Sequence, residues 1–283
     1  MHDETPYLGR WAGLALLLPM ALLLAAFFVY PLAQTIWQSV YEHGFTARAY
    51  ENLATSTLFF KVLQTTFVIS LTATLVSLLA GYPVALHLSR LEPSRRVPYL
   101  VMVMLPFWTS ILVKSFALTV ILGYDGVINR ALSFVFGEPI HIPMVFNRVG
   151  AILGMINYLL PFMILSILGS LLAQDANLAR AAEVMGASRF TIFRRITLPL
   201  SMPGVLAGVL INFTLSIGMY ITPALLGGRQ DMMMANLIDF YTRQTLDWPL
   251  ASAIAVVLLV ISGVLVAMLG RVRGAGGMTE MAR

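Results

Sequence analysis

Six stretches of this chain run for membrane-spanning lengths without a single acid. They are Trp11 to Tyr41, Val62 to Ser89, Val97 to Tyr124, Val149 to Gln174, Ile196 to Gly228 and Trp248 to Gly270, and Lys114 is the one lysine or arginine inside them. A helix needs about 20 consecutive apolar residues to cross hydrocarbon, because lipid offers no hydrogen bonds to a bare backbone. Only 11% of the 283 residues are charged, against about 25% in soluble domains, too few to coat a water-soluble globule of this size. The expected fold is an all-α integral membrane protein with six transmembrane helices. Pro31 is expected to end the first span, and Pro203 with Gly204 to open the fifth. The first stretch reads as a retained helix, since its apolar part exceeds the roughly 7–15-residue core of a cleaved signal.

Six spans put both termini on one side, and the arginines choose the side. With the termini inside, the inner segments hold Arg10, then Arg90, Arg95 and Arg96, then Arg180, Arg189, Arg194 and Arg195, then Arg271, Arg273 and Arg283. The outer segments hold Arg48, Lys61, Arg130, Arg148, Arg229 and Arg243, beside seven acids. Basic excess marks the cytoplasmic face, so both termini are expected there. The outer segments 31–61, 123–148 and 227–247 carry enough aromatic and aliphatic residues for short interfacial helices. The Gly-rich tail 274–283 reads as disordered. The chain divides into an N-terminal span with its outer segment (1–61), a five-helix core (62–270) and a cytoplasmic tail (271–283).

Several chemistries are excluded. With no cysteine, a disulfide framework and a thiolate metal site are impossible. The four histidines, His2, His43, His87 and His141, fall in separate segments without metal-ligand spacing, so no metal site is expected. Neither Lys61 nor Lys114 lies in a phosphate-cradling Gly-Lys-Ser/Thr loop, so the chain binds no nucleotide by that route. No catalytic triad or carboxylate pair is present, and the scattered arginines make no nucleic-acid face. All 13 acids lie outside the spans, which argues against the rival reading of an ion-coupled carrier or channel. Uphill transport would then draw on another chain.

The longest inner segment, about 174–201, is the most informative. Asp175 suits a helix N-cap, and Leu178, Ala181, Ala182 and Met185 recur as one apolar stripe. Gly186 permits a sharp corner. Ser188 suits a second cap, Phe190, Phe193 and Ile196 recur at helical spacing, and Leu198-Pro199 closes the element before the next span. Two short helices meeting at a corner fit either an amphipathic element lying on anionic lipid or a docking element for a partner.

Ala181-Ala182, three residues, Gly186, nine residues, then Ile196-x-Leu198-Pro199 resembles the cytoplasmic loop signature of ABC importer permeases, Glu-Ala-Ala-x3-Gly-x9-Ile-x-Leu-Pro. Arg180 stands where that family has glutamate, and Glu183 is not a positional substitute. Further motifs resemble the spermidine/putrescine-type permeases: Leu105-Pro-Phe-Trp-Thr-Ser110 followed by Lys114, Gly126-Val-Ile-Asn129, Asn157-Tyr-Leu-Leu-Pro-Phe-Met163, Ile221-Thr-Pro-Ala-Leu-Leu-Gly-Gly228 and Trp248-Pro-Leu-Ala-Ser-Ala253. The resemblance spans roughly 62–270. It implies a type I importer permease (MetI-like) fold in a bacterial inner membrane, a second and homologous permease subunit, two ATPase subunits carrying ATP and magnesium, and a periplasmic binding protein. It also implies that Arg180, Ala181, Ala182, Glu183, Met185, Gly186, Ile196, Leu198 and Pro199 form the ATPase-coupling element. The implied substrate is a polyamine or related small amine. Sister families carry opines, phosphonates, thiamine or ferric iron.

Intramembrane polar residues tend to face a bundle interior. Trp108, Thr109, Ser110, Lys114, Asn157, Tyr158, Asn212, Ser216 and Tyr220 are therefore candidate pathway residues. Two alternatives stand beside this. Asn and Ser also hydrogen-bond across helices, and Lys114 can extend its amine to the outer interface. A cationic solute in a path without carboxylates would rely on aromatic faces such as Trp108, Tyr158 and Tyr220.

Overall fold

Apolar runs become helices here because each residue must satisfy its own backbone, and no strand forms among the described residues. The computed structural model describes residues 10–41 and 44–280. Its helices are α1 (Arg10–Leu24), α2 (Tyr30–Val40), α3 (Arg48–Thr55), α4 (Thr57–Arg90), α5 (Pro93–Trp108), α6 (Ile111–Leu122), α7 (Val127–Phe136), α8 (Arg148–Leu172), α9 (Ala176–Val184), α10 (Arg189–Ile192), α11 (Leu198–Ile217), α12 (Ile221–Leu226), α13 (Met234–Arg243) and α14 (Trp248–Glu280). Among the described residues, six helical stretches are long and apolar enough to cross a membrane: Leu16–Val40, Thr57–Arg90, Ile111–Phe136, Arg148–Leu172, Arg189–Ile217 and Trp248–Gly270.

The span count stands, but several boundaries are corrected. Pro31 does not end the first span, because a π-helical turn, Ala25–Val29, joins α1 directly to α2. Pro199 does not close the inner element either, because a second π turn, Phe193–Thr197, joins α10 to α11. In both cases the wide turn ends two residues before a proline. A proline ring clashes with the carbonyl four residues back and gives that carbonyl no N–H, and the extra residue in the turn relieves both faults. Pro203 and Gly204 consequently sit inside α11.

The third span does break. Thr109 and Ser110 are extended, with ψ of 142° and 136°, and separate α5 from α6. Pro106 lies at the end of α5, and the Thr109 hydroxyl donates to the Pro106 carbonyl at 2.8 Å, satisfying one of the last free acceptors. The membrane-length stretch 111–136 is itself divided into α6 and α7 by a turn at 123–126, which holds Asp125. The fifth span ends at Ile217, with α12 a separate short helix. The segments 31–61, 123–148 and 227–247 carry short amphipathic helices, α3, α7 and α13. The tail is helical to Glu280, not disordered, and residues 281–283 lie outside those described.

The chain divides into two compact units: residues to Ser56 with Phe240–Val257, and Thr57–Asp239 with Leu258 onward. In the first, the Tyr50 hydroxyl donates to Ser39 Oγ at 2.8 Å, and Asp247 caps α14 by accepting the Leu250 N–H at 3.0 Å. In the second, α4, α8 and α11 pack as a tight trio. One half of its core is Ala85, Leu88, Met163, Ile164 and Ile167, and the other is Ile69, Ala73, Met155 and Leu159 with Met219 and Met233. Its closest approaches use glycine: a Cβ at Gly204 would stand 2.4 Å from Ser170 Cβ and 2.7 Å from the Ser166 carbonyl oxygen.

Candidate functional site

The segment after α8 is built almost entirely by local chemistry. Asp175 caps α9, its carboxylate accepting the Asn177 N–H at 2.9 Å. α9 ends in a Schellman motif: the Ala187 N–H reaches the Ala182 carbonyl at 3.0 Å and the Gly186 N–H the Glu183 carbonyl at 2.9 Å. That motif needs a left-handed residue, and Gly186 supplies it with φ +81°. Ser188 then caps α10 by accepting the Thr191 N–H at 3.3 Å.

From this cap the chain continues as one uninterrupted 29-residue helical run, Arg189 to Ile217. Its base is pinned to neighbouring elements by three contacts. Gln174 Nε2 donates to the Thr197 carbonyl at 3.1 Å, the Tyr82 and Ser201 hydroxyls lie 2.9 Å apart, and Tyr82 meets Phe193 edge to face at 6.0 Å. Behind the corner a cavity of about 590 Å³ opens between α4, α8, α9 and α10, with Arg90, Asp175, Glu183 and Arg189 in its walls.

The expected apolar stripe does not face inward as a unit. Ala182 and Ile192 are buried, whereas Leu178 is 48% exposed and Met185 81%. With Val184 at 90% and Phe190 at 70%, the corner displays an apolar tip to its surroundings. Arg180, Arg189, Arg194 and Arg195 are exposed around it, with Glu183 among them. Ile196 and Leu198 are half-buried, and Pro199 is exposed. Two helices of four and nine residues are too short to hold a shape alone. Their caps and the fused helix α11 hold it for them.

The candidate pathway residues separate into groups. Trp108, Thr109 and Ser110 are exposed at the break between α5 and α6. Lys114 and Tyr158 come together, the amine 5.5 Å from the ring centroid, a cation–π distance. That face of Tyr158 is therefore occupied by the chain's own cation. Asn157 lines an apolar cavity of about 310 Å³ with His87, Tyr99 and Pro161. The Tyr220 hydroxyl donates to Asp239 at 3.1 Å, and its carbonyl accepts from Asn236 Nδ2 at 3.1 Å. Asn212 and Ser216 are fully buried on α11.

Three anchors could not be read from spacing. Buried Asn129 ties the α6–α7 turn together, donating to the carbonyls of Gly123, Tyr124 and Ile142, each at 3.1 Å, and accepting the Ile142 N–H at 3.0 Å. Thr66 Oγ1 accepts the Met234 N–H at 2.9 Å. Arg148 Nε donates to the nearly buried Asp231 carboxylate at 3.0 Å, and that carboxylate also accepts the Gly228 N–H at 3.3 Å. Asn129 does belong to the Gly126-Val-Ile-Asn129 motif, and its four bonds give a structural reason for an asparagine there. No group of three or more potential metal ligands occurs among the described residues.

Comparison with known proteins agrees with this architecture. Residues 77–272 match the family described as binding-protein-dependent transport system inner membrane component. The spermidine/putrescine transport system permease protein PotB of Haemophilus influenzae is 33% identical over 258 residues, 90% of this chain and 88% of that one. PotB of Escherichia coli is 33% identical over 74% of this chain and 76% of its own. The molybdenum transport system permease protein ModB of Mycobacterium bovis is 28% identical over 70% and 74%. A bacterial alginate ABC transporter, solved in complex with an alginate pentasaccharide-bound periplasmic protein, superposes with a TM-score of 0.76 over 92% of both chains at 21% identity, a likeness of fold. The chain therefore belongs to the binding-protein-dependent transport system inner membrane components, the multi-pass permease subunits of ABC importers.

Proposed function

We propose that this chain is one of two membrane halves of an importer for a polyamine, or a related small polar amine, driven by a separate ATPase that docks on residues 175–199. The single observation that carries the docking is the capped corner at Gly186, which exposes Val184, Met185 and Phe190 and continues without interruption into α11. A lever must be stiff where it is pushed, and a flexible loop would absorb the displacement. Arg180, Ala181, Ala182, Glu183, Met185 and Gly186 form the docking face in this reading, with Ile196, Leu198 and Pro199 as the hinge-free root.

The PotB relatives support the substrate class. A homologous second permease, two ATPases and a periplasmic binding protein complete the assembly, with ATP and magnesium held by the ATPases. Both termini face the cytoplasm, which accords with the arginine distribution and puts the corner on the same side as ATP. The exposed Trp108, Thr109 and Ser110, together with Lys114, Asn157, Tyr158 and Tyr220, line the approach to the solute path.

Copurification tests this reading. Untagged ATPase should follow the tagged permease out of detergent, and Gly186→Trp should abolish the association. Reconstituted vesicles should import the polyamine only with ATP on the ATPase side. Uptake that runs on an ion gradient after ATP depletion would overturn the proposal in favour of a carrier.

A further inference from the structure

Each wall of the cavity behind the corner carries the same gradient. On α4, Leu86 stands about one turn before Ser89 and Arg90 at the helix end. On α8, Leu171 and Leu172 precede Gln174 and Asp175. On the run that leaves the corner the order reverses: Arg189 comes first, then Ile192, Phe193 and Ile196. α4 and α8 end at the cavity whereas the third run begins there, so all three walls pass from polar to apolar in one direction. On the orientation proposed above, the polar rim lies at the inner membrane surface and the apolar floor lies toward hydrocarbon. The volume of about 590 Å³ falls within the range of about 300–1,000 Å³ usual for small-molecule sites.

The rim holds two charges of each sign, Arg90 and Arg189 with Asp175 and Glu183, and all four are exposed. Among the described residues the ion pairs are His141 with Asp125 and Arg148 with Asp231, so none of the four neutralises another. The hydrogen bonds made at the rim engage other atoms. Ser89 Oγ donates to the Leu86 carbonyl at 2.9 Å, Gln174 is taken by Thr197, and Asp175 accepts the Asn177 N–H through Oδ1. A guanidinium binds phosphate through parallel N–H donors, and a carboxylate can only accept, which suits a primary ammonium. A polyamine would meet two guanidiniums here and a free phosphate two carboxylates, and neither would use the apolar floor. An amphiphile that carries a phosphate next to an ammonium satisfies all three parts.

We infer that this cavity binds a zwitterionic phospholipid of the ethanolamine type, with its phosphate on Arg90 and Arg189, its ammonium on Asp175 and Glu183, and its chains along Leu86, Leu172 and Phe193. The inference rests on the function proposed above for the orientation that puts the rim at the inner surface. Val184, Met185 and Phe190 are not in these walls, so the lipid and the ATPase take different faces of the same element, and Glu183 alone of the docking residues borders both. A lipid in this place joins the end of α4 to α9 and α10 and braces the corner from behind.

Native mass spectrometry of the delipidated permease–ATPase assembly tests this. Phosphatidylethanolamine, phosphatidylcholine and phosphatidylglycerol are titrated in turn. Phosphatidylcholine keeps both charges but has no N–H, and phosphatidylglycerol keeps the phosphate but has no cation. Phosphatidylethanolamine should bind at least tenfold more tightly than either. Arg90→Gln should weaken it at least tenfold, as should Ala179→Trp, which fills the cavity from α9, with melting unchanged in both. Asp175→Asn combined with Glu183→Gln should bring phosphatidylethanolamine and phosphatidylcholine within twofold of each other. Asparagine still caps α9, so a lost preference reports the carboxylates and not the fold. Equal binding of the three lipids, or parent-like binding by Arg90→Gln and Ala179→Trp, overturns the inference. Glycerophosphoethanolamine competing at the lipid's own concentration overturns it in favour of a soluble ligand, and lipid expelled by added ATPase gives the cavity to the ATPase. Binding blind to the headgroup, with normal ATPase association and uptake, sinks the cavity alone. An ATPase that never associates sinks the proposed function, and the headgroup preference is still read on the permease pair.

Discussion

Replacing Gly186 isolates one physical effect at the corner. Its φ is +81°, and a Cβ built there finds nothing within 4 Å, so a side chain meets no steric obstacle and only the backbone objects. An L-residue held in the left-handed region costs about 1–2 kcal/mol, equivalent to a factor of about 5–30 in the fraction of corners correctly bent. Gly186→Ala should therefore weaken the permease for its ATPase by about that factor. Gly186→Asn should lose less, since asparagine tolerates this conformation, and Gly186→Val more, since a β-branched residue does not. The assay is a titration of purified ATPase against the permease pair in nanodiscs, read as stimulated ATP hydrolysis, with intrinsic tryptophan fluorescence following thermal melting. Melting should move little, because a side chain at Gly186 meets no neighbour and the strain stays at the corner. Alanine and valine variants that titrate like the parent would refute the reasoning. So would a loss of affinity that tracks a loss of melting temperature, because the defect would then lie in the bundle.

Other positions give sharper tests of packing and charge. Gly204→Ala forces Cβ against a backbone carbonyl at 2.7 Å; overpacking of about 1–3 kcal/mol outweighs a helix-propensity gain of about 1 kcal/mol, so the variant melts lower, whereas Gly169→Ala, with open space around it, melts higher. The reverse order would show that α8 and α11 are not in tight contact. Asp231→Asn removes the charge facing half-exposed Arg148 and should destabilise by about 1 kcal/mol after solvent screening, read as faster proteolysis of the 227–233 loop; an unchanged cleavage rate contradicts it. A double-mutant cycle on Lys114→Met and Tyr158→Leu should return a coupling of about 0.5–1 kcal/mol, and a value of zero dismisses the cation–π contact. Arg180→Glu, which restores the residue that importer permeases carry there, should leave assembly and uptake intact or improved. Normal assembly with no transport would mean that this face has diverged.

Much of the corner was legible because its chemistry is local. Asp175 and Ser188 cap through bonds two and three residues away, and Gly186 answers the need for one left-handed residue between two helices. The six spans were legible for the same reason, since hydrocarbon forces each apolar run to satisfy its own backbone. Proline was misleading. Pro31 and Pro199 read as stops, yet a π turn before each absorbs the ring, and no spacing in the sequence announces that extra residue. Thr109 and Ser110 read as part of a span and turned out to interrupt one.

Composition and short-range spacing thus determined, unaided, that this is a helical membrane protein with six spans and a bent element between its fourth and fifth. Tertiary structure alone decided which faces meet: Gly204 against Ser170, Lys114 over Tyr158, Arg148 on Asp231, and Arg90, Asp175, Glu183 and Arg189 around one cavity. The reason is range. A cap or a hydrocarbon-length run is settled within one or two helical turns, whereas a polar atom is satisfied or orphaned by residues a hundred positions away, and no periodicity in the chain records that distance.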